Sequence, residues 1–186
     1  VCLVHILSQI SNEYKLNIVA VHINHMLRGA ESDQDEEYAR EFCNNLGIVF
    51  YSDRIDIKKL ASEKGLSLEE AGRLARYTQF EFYASKNGAL KIAVAHNKND
   101  QAETVLMNII RGTGLDGLKG IEIRRGNIVR PLLKTSRSDI EYYCSFNDLM
   151  PRIDSSNLKN SFTRNKIRLE LIPFIDSHFN TDITES

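Results

Sequence analysis

The sequence predicts an α/β protein in which helices cover both faces of a parallel sheet. Short apolar, β-branched runs of strand length alternate along the chain with longer stretches of helical spacing. Two of these runs lead directly into polar segments that contain histidine, "HINHMLRG" and "HNKNDQAET". Such segments are typical of the carboxyl edge of a parallel sheet, where loops lead into helices and ligands bind.

The predicted elements alternate in chain order within 186 residues. We predict strands at 16–23, 48–55, 90–95 and 127–133. Helical spacing predicts helices at 3–14, 33–46, 68–86, 101–111, 138–147 and 163–179. We expect one domain spanning 1–186, with an α/β core at 1–135 and a helical C-terminal part at 136–186.

The net charge of -1 excludes a uniformly basic nucleic-acid binder, but the charges are unevenly distributed. Residues 31–41 contain six acids and one base, whereas 111–137 contain seven bases and two acids. Residues 158–168 add four bases and no acid. The last third of the chain could therefore face a polyanion, although bases scattered over a solvated surface remain the simpler alternative.

The cysteines and the hydropathy indicate a cytoplasmic protein. Cys2, Cys43 and Cys144 are widely spaced and form no CxxC pair, which argues against a disulfide framework, a zinc ribbon or an iron–sulfur site. No apolar run is long enough to span a bilayer and no secretory leader is present, so we expect no membrane association. The sequence begins at Val1 rather than at a methionine, so its start is not assumed to be the natural one.

Asp100 and Glu103 lie three residues apart in the predicted first turn of a helix, so both carboxylates point the same way. One interpretation is a cap, in which Asn99 or Asp100 accepts hydrogen bonds from free backbone N–H groups and Glu103 answers from the next turn. The other is a site for a cation, either Mg²⁺ or a substrate ammonium. The two interpretations are compatible. His96, at the end of the preceding strand, is by itself best explained as a hydrogen-bonded core histidine.

The stretch "GTGLDG" at 112–117 formally matches a dinucleotide-binding pattern, but that pattern requires a strand before it, and here a helix is predicted there. A Walker A loop would need lysine where Leu118 follows. We predict instead that Gly112 ends the preceding helix in the left-handed conformation. The loop, flanked by Arg111 and Lys119, could then approach a phosphate backbone closely.

Arg73 and Arg76 lie at positions i and i+3 of a predicted helix. Surface ion pairs with Glu69 or Glu70 would explain them without any function. The alternative is that both guanidinium groups face a polyphosphate, since their planar fork suits phosphate oxygens.

Five blocks of the sequence carry a family resemblance. They are "HINHMLRGAESDQDEEYAREFC" (22–43), "EEAGRLARY" (69–77), "AHNKNDQAETVLMNIIRGTGLDGLKGI" (95–121), "RPLL" (130–133) and "DSSNLKNSFTRNKIRLELIP" (154–173). In this order they resemble the tRNA(Ile)-lysidine synthases, members of the PP-loop ATP pyrophosphatase group. The resemblance implies a Rossmann-like PP-loop ATPase fold of the adenine nucleotide alpha hydrolase type.

The resemblance implies a ligase that attaches lysine to C2 of the wobble cytidine of tRNA(Ile) with a CAU anticodon. ATP adenylates the C2 oxygen and releases pyrophosphate, and the ε-amine of free L-lysine then displaces AMP to give lysidine. The implied cofactors are ATP and Mg²⁺, the implied partners are this tRNA and lysine, and a homodimer is left open. Such a reaction needs positive charge at the α-phosphate and carboxylates for the incoming ammonium.

The resemblance also implies roles for individual residues. Asp100 and Glu103 would be catalytic carboxylates for Mg²⁺ or lysine, with Asp100 as the metal ligand, and Arg73 and Arg76 would contact the polyphosphate or the transition state. The implied ATP-binding residues are His22, Asn24, His25, Arg28 and His96. The implied tRNA-binding residues are Arg111, Gly112, Gly114, Lys119, Asn157, Arg164, Asn165 and Arg168.

The family's nucleotide loop, Ser-Gly-Gly-x-Asp-Ser, and the central strand before it would precede Val1. That loop supplies backbone N–H groups and an aspartate that hold pyrophosphate and metal, and its strand lies in mid-sheet. Without them, neighbouring strands would expose apolar edges. We therefore expect that these 186 residues alone neither cleave ATP nor fold stably as a monomer.

Two alternatives stay open. Another PP-loop enzyme, such as a tRNA 2-thiolase, is disfavoured because those enzymes commonly use paired cysteines, which this sequence lacks. A truncated, non-catalytic remnant could bind RNA through its basic last third. Salt-dependent tRNA binding without ATP turnover would distinguish such a remnant.

Overall fold

The computed structural model describes residues 1–152, 163–179 and 183–184. The chain divides into two compact units, Val1–Ile92 and Ala93–Ser186, called unit 1 and unit 2 below. Asn157, predicted to bind tRNA, lies outside the described residues.

Unit 1 contains a two-stranded parallel ladder and four helices within its described length. Its elements are α1 (Cys2–Tyr14), β1 (Val19–Asn24), α2 (Ala30–Asn45), β2 (Val49–Arg54), α3 (Ile57–Lys64) and α4 (Leu68–Lys86). The register of β1 and β2 runs from Val19 opposite Val49 to Asn24 opposite Arg54. The parallel pairing of these two strands is confirmed, and it brings the residues at their carboxyl ends to one edge.

Helices α3 and α4 pack together through small side chains. Ile57 is fully buried, and Ala61, Ala71 and Ala75 are buried beside it. Alanine at facing positions lets two helix axes approach closely, because little side-chain volume separates them. This contact fixes α4, which carries Arg73 and Arg76 on its exposed side.

The starts of α3 and α4 are set by capping side chains. Asp56 accepts the Lys59 N–H at the start of α3, and Gly65 ends that helix in the left-handed conformation. Ser67 and Glu70 form a reciprocal capping box that starts α4, whose bounds match the prediction. Helical spacing did not predict α3, because a helix of eight residues shows barely two turns of periodicity.

In unit 2 most of the described residues lie in helices, and the strands are short. From the junction between the units onward the elements are β3 (Ile92–Ala93), α5 (Lys98–Ile110), α6 (Leu115–Leu118), β4 (Arg124–Arg125), β5 (Ile128–Val129), α7 (Arg137–Phe146), α8 (Thr163–Lys166), a π-helix (Ile167–Leu171) and α9 (Ile172–Phe179). The strand order is β3–β5–β4. Among the described residues, no helix combines the length and apolarity needed to cross a membrane.

The strands of unit 2 differ from the prediction. The predicted run at 90–95 forms only two residues of strand, and the run at 127–133 forms β5 in an antiparallel pair with β4. Gly126, with φ of 62°, supports the tight turn between β4 and β5. Pro131 offers no N–H to a ladder, which explains why β5 stops early. The α/β class is confirmed, while the parallel pairing is seen between β1 and β2.

Candidate active-site residues in the two units

Unit 1 gathers polar groups where β1 and β2 end. Asn24, the last residue of β1, is 2% exposed. Its side-chain amide donates to Asp33 Oδ1 and to Glu36 Oε2, each at 3.0 Å, and its side-chain oxygen accepts the Met26 N–H at 3.0 Å. Both N–H groups and the oxygen are thus engaged inside the unit. Asn24 therefore shapes the loop after β1, and its predicted contact with ATP would require an exchange of partners.

Glu36 lies at the centre of this cluster. It is buried, and it accepts hydrogen bonds from Arg40 at 3.0 Å and from Arg54 Nε at 3.1 Å as well as from Asn24. Burial alone would raise the pKa of Glu36, but the hydrogen bond from Asn24 and the charge of Arg54 outweigh it and lower that pKa. Glu36 therefore stays ionised at neutral pH and ties α2 to the end of β2.

Arg28 is held by acids at the start of α2. Its guanidinium lies 2.6 Å from Asp35 Oδ2 and 3.5 Å from Glu31 Oε2. Gly29, with φ of 53°, allows the chain to turn between Arg28 and the helix. Both ion pairs are partly exposed, so an incoming anion could replace them at small cost.

His22 and His25, both predicted on the ATP side, are partly buried. Burial lowers the pKa of each imidazole, and the positive charge of Arg76 lowers that of His25 further. The His25 ring lies against α4 at Gly72, where a Cβ atom would come within 3.1 Å of the His25 Cε1 atom. His25 Nε2 is buried, and within the described part of the chain it finds no hydrogen-bond partner. This atom is an unsatisfied buried polar group, which a ligand reaches only when the groups that cover it move.

We predict that His25 makes unit 1 sensitive to mild acid. Because the pKa of His25 in the folded protein lies below its ordinary value of 6.5, the unfolded chain takes up the proton first as the pH falls. This imidazole therefore costs the folded state stability below pH 6.5 and contributes nothing above it. In the full-length protein, His25→Gln should reduce the loss of stability between about pH 7 and about pH 5.5.

NMR titration of histidine-labelled protein checks the same prediction directly. The resonance that disappears in His25→Gln should titrate with a midpoint below 6.5. His178→Gln is the matched control, since it removes an exposed imidazole. A His25 midpoint at or above 6.5, or the same change in acid sensitivity in both variants, would contradict the prediction.

Arg73 and Arg76 lie one turn apart on the exposed side of α4. The Arg73 guanidinium lies 5.0 Å from the centroid of the Tyr77 ring, which orients it by a cation–π contact. Glu70, one of its predicted surface partners, closes the capping box with Ser67. Because both arginines are exposed, a contact with polyphosphate requires no rearrangement of buried groups.

In unit 2 the polar cluster after β3 begins with a helix cap. Asn97 Oδ1 accepts the Asp100 N–H and Asp100 Oδ2 accepts the Asn97 N–H, both at 3.0 Å. The predicted cap is present, and Asp100 accepts a free backbone N–H as predicted, but its reciprocal partner is Asn97, and the predicted roles of Asn99 and Glu103 in the cap were wrong. Asn99 instead accepts the Arg137 N–H at 3.0 Å. Because the cap lies at Asn97, α5 begins three residues before the predicted start, and Glu103 falls in its second turn.

Glu103 is 1% exposed and is bound by two arginines from the C-terminal helices. Arg164 Nε donates to Glu103 Oε2 at 2.6 Å, while Arg168 donates from Nε to Oε1 at 2.5 Å and from its NH2 group to Oε2 at 3.1 Å. Arg164 also donates to Asp100 Oδ1 at 3.0 Å. The hydrogen bond to Glu103 is the main cause of a raised pKa of Arg168. We call these four residues the Glu103 cluster.

The two carboxylates of the Glu103 cluster differ in access. The Asp100 side chain is 20% exposed, whereas that of Glu103 is 1% exposed. Asp100 can therefore accept a further hydrogen bond from a ligand, while both carboxylate oxygens of Glu103 already accept hydrogen bonds from the two arginines. The sequence alone did not separate these roles.

The arrangement does not fit a magnesium ion held by Asp100. The Asp100 oxygen atoms already accept hydrogen bonds from Arg164 and from the Asn97 N–H. A further hydrogen-bond donor can share such an oxygen, whereas a metal ion must coordinate it directly together with several other oxygen ligands. Mg²⁺ also demands near-octahedral oxygen ligands. Within residues 1–152, 163–179 and 183–184, no group of three or more histidine, cysteine or acidic side chains has the geometry to hold a metal.

His96 is oriented by a buried arginine that the prediction of the site missed. Arg130 is buried, its Nε donates to His96 Nδ1 at 3.1 Å, and its NH1 group donates to the Glu122 carbonyl at 2.7 Å. Since Nδ1 accepts, the neutral ring carries its proton on Nε2. The "RPLL" block was the available signal, but a basic residue beside proline does not by itself indicate burial.

The predicted glycine-rich loop follows α5, and we call residues 111–121 the α5 loop. The Gly112 N–H donates to the Ile109 carbonyl at 3.0 Å and the Thr113 N–H to the Asn108 carbonyl at 3.2 Å, with Gly112 at φ of 72°. These two bonds form a Schellman motif, so the prediction that Gly112 ends the helix in the left-handed conformation is confirmed. Arg111, Gly112, Gly114 and Lys119 are all exposed on this loop.

The remaining residues predicted to bind tRNA are placed differently. Asn165 is buried in α8, so its side chain presents little surface to a tRNA. Arg164 and Arg168 are partly exposed but engaged in the Glu103 cluster. Their predicted role in binding tRNA would compete with the ion pairs that they make.

All three cysteines are buried and form no disulfide. Burial raises the pKa of Cys43, which leaves its thiol a poorer nucleophile than an exposed cysteine. Buried cysteines outside disulfides pack as small apolar side chains.

Comparison with known proteins gives strong matches. Three curated proteins named tRNA(Ile)-lysidine synthase are similar to this chain: those of Clostridium acetobutylicum (52% identity over 98% of the chain), Clostridioides difficile (48% over 100%) and Caldanaerobacter subterraneus (46% over 100%). The chain spans 40% of the length of each.

A solved structure and a family model agree with these matches. The U34-tRNA thiolase NcsA from Methanococcus maripaludis with its 4Fe–4S cluster aligns with all of this chain and 64% of its own, with a TM-score of 0.75 and 16% sequence identity. At that identity the likeness shows the fold alone. Residues 1–175 match the model of the PP-loop domain. With its parallel β1–β2 ladder and helices, the chain therefore belongs to the PP-loop domain family.

Proposed function

We propose that the protein containing this chain is a tRNA(Ile)-lysidine synthase, and that the chain belongs to the domain that uses ATP. The observation that carries the proposal is 52% identity with an enzyme of that name across 98% of the chain. The chain shares its fold with the thiolase, but the two sequences are only 16% identical. The observation therefore favours lysidine formation over sulfur transfer.

The proposed reaction has two steps. The C2 oxygen of the wobble cytidine attacks the α-phosphate of ATP, so an O–P bond forms and pyrophosphate leaves. The ε-amine of lysine then attacks C2, a C–N bond forms, the C–O bond to AMP breaks, and the amine loses a proton. The protein must therefore accommodate negative charge on ATP and position an amine.

Unit 1 contains the residues proposed for ATP. Arg73 and Arg76 offer two exposed guanidinium groups to the polyphosphate, where charge-assisted hydrogen bonds are strong. His25 stays neutral near pH 7, and its buried Nε2 atom, unpartnered among the described residues, can hydrogen-bond a ligand once the groups that cover it move. His22 stacks on Phe50 with ring centroids 6.3 Å apart and offers a neutral aromatic surface beside it.

Unit 2 contains the residues proposed for lysine. Asp100, the more exposed carboxylate of the Glu103 cluster, accepts the ammonium of the incoming lysine. Glu103 holds Arg164 and Arg168, so it orients the cluster and does not meet the substrate. ATP is consumed as a substrate in this scheme, and no step is assigned to Mg²⁺.

The α5 loop and the lysine site are proposed to serve one RNA substrate. Arg111 and Lys119 are exposed and can contact phosphates. Lys119 pairs with Asp116 at 2.7 Å, but this pair is fully on the surface and is therefore easily exchanged for a phosphate.

Release of the two phosphate products tests the proposed function. Full-length protein with ATP, lysine and a tRNA(Ile) transcript bearing CAU should release pyrophosphate and AMP in equal amounts. Without lysine, AMP release should stop while an adenylated tRNA accumulates. A transcript with uridine at the wobble position is the matched control and should support neither product. Pyrophosphate release that is independent of tRNA, or incorporation of sulfur, would reject the proposal.

A further inference from the structure

Two amide side chains on one face of α5 bind the α5 loop through its backbone. Gln101 Nε2 donates to the Lys119 carbonyl at 3.1 Å, and Gln101 Oε1 accepts the Ile121 N–H at 2.6 Å. Asn108 Nδ2 donates to the Gly117 carbonyl at 2.8 Å. Gln101 and Asn108 are seven residues apart, which is two helical turns, so both point to the same side of the helix.

The α5 loop is therefore attached to its helix along its length. The Schellman motif fixes its start, Asn108 fixes its middle, and Gln101 fixes its end. Glycine at position 120 also suits this contact. A Cβ on Gly120 would lie 2.6 Å from Gln101 Nε2, and the φ of 62° at Gly120 is one that favours glycine.

The attachment turns an apolar and basic surface outward. Leu115, at the start of α6, is 83% exposed, and Leu118 is also exposed. Arg111 and Lys119 flank them, and both cations are exposed. An apolar tip between two cations suits a polynucleotide that presents both an unstacked base and its phosphates.

We propose that Gln101 and Asn108 are positioning residues for the RNA substrate: they hold the α5 loop in a fixed place on the helix that carries Asp100. This inference rests on the proposed function. A glycine-rich loop without these bonds would sample many conformations, and RNA binding would then have to order it at an entropic cost. Gln101 directly follows Asp100, so the loop end and the lysine carboxylate are fixed to adjacent residues of one helix.

Steady-state kinetics of the full-length enzyme tests the inference. Gln101→Ala and Asn108→Ala should each raise the KM for tRNA by about tenfold, because a binding surface that was ordered in advance is released. The KM values for ATP and lysine should stay unchanged. Gln9→Ala and Asn12→Ala are the matched controls, since they make the same chemical changes at exposed positions of α1.

Hydrogen exchange shows whether the Gln101 side chain holds the α5 loop in solution. Hydrogen exchange at the Ile121 amide should accelerate in Gln101→Ala while exchange at amides in the middle of α5 stays unchanged. Unchanged KM for tRNA, or equal rises in KM for tRNA and ATP, would overturn the inference. If the wild-type protein shows no lysine-dependent turnover, the proposed function fails, whereas the exchange result still decides whether Gln101 holds the loop.

Discussion

Replacing Glu103 by glutamine is expected to destabilise α5 and the helices at 163–179 by about 3 kcal/mol, because two arginines would lose their buried counter-charge. The glutamine would keep the shape of the side chain but would bring an N–H group toward guanidinium donors that need acceptors. Hydrogen exchange of the α5 amides in the full-length protein measures this loss locally. We also expect a strong loss of turnover, since Arg164, which already donates to Asp100, and Arg168, 3.8 Å from Asp100 Oδ1, would compete more strongly with the proposed lysine ammonium for this carboxylate.

The matched control is Glu141→Gln. Glu141 also pairs with an arginine, Arg137, at 2.8 Å, but both side chains are more than half exposed. Removing such a surface pair should cost less than about 0.5 kcal/mol. Equal effects of the two substitutions would contradict the view that burial gives the Glu103 cluster its importance.

Asn24→Asp should also have a large effect, at about 3 kcal/mol of lost stability in unit 1. The change removes two hydrogen-bond donors and places a third carboxylate beside the buried Glu36 and the exposed Asp33. The added negative charge has no space to move away, because Asn24 is 2% exposed. Hydrogen exchange at the Ile55 amide, which donates to the Asn24 carbonyl, reports the loosening of this edge.

Asn12→Asp provides the comparison for this second substitution. It makes the same chemical change on the exposed surface of α1, where water solvates the new charge. We expect it to alter stability by less than about 0.5 kcal/mol. If Asn24→Asp were tolerated equally well, the hydrogen bonds from Asn24 to the two acids would not be what organises the end of β1.

The sequence predicted the polar edge of each unit but not the partners within it. Asp100 and Glu103 were found from their spacing and position after a strand, since these signals are local. Arg164 lies 61 residues after Glu103, and local periodicity carries no information about a contact at that separation. The basic residues around Arg164 in the sequence instead suggested a surface that binds RNA. Only the structure shows that Glu103 is buried and bound by two arginines.

Elements with strong local signals were predicted best. The bounds of α4 were predicted correctly from helical spacing, and the parallel pairing of β1 with β2 followed from strand–helix alternation. The strands of unit 2 were predicted to be longer than they are, since apolar composition does not reveal where the hydrogen bonds between two strands end. Asn97 was overlooked as the cap of α5 because three other polar residues follow it closely.

The wobble nucleoside of the product tRNA gives the most direct test of the account. Full-length protein should be incubated with ATP, isotopically labelled lysine and tRNA(Ile) bearing CAU, and the tRNA should then be digested and analysed by mass spectrometry. The account predicts a nucleoside heavier than cytidine by lysine less one water, carrying the label. Unmodified cytidine, or a sulfur-containing nucleoside without the label, would contradict it.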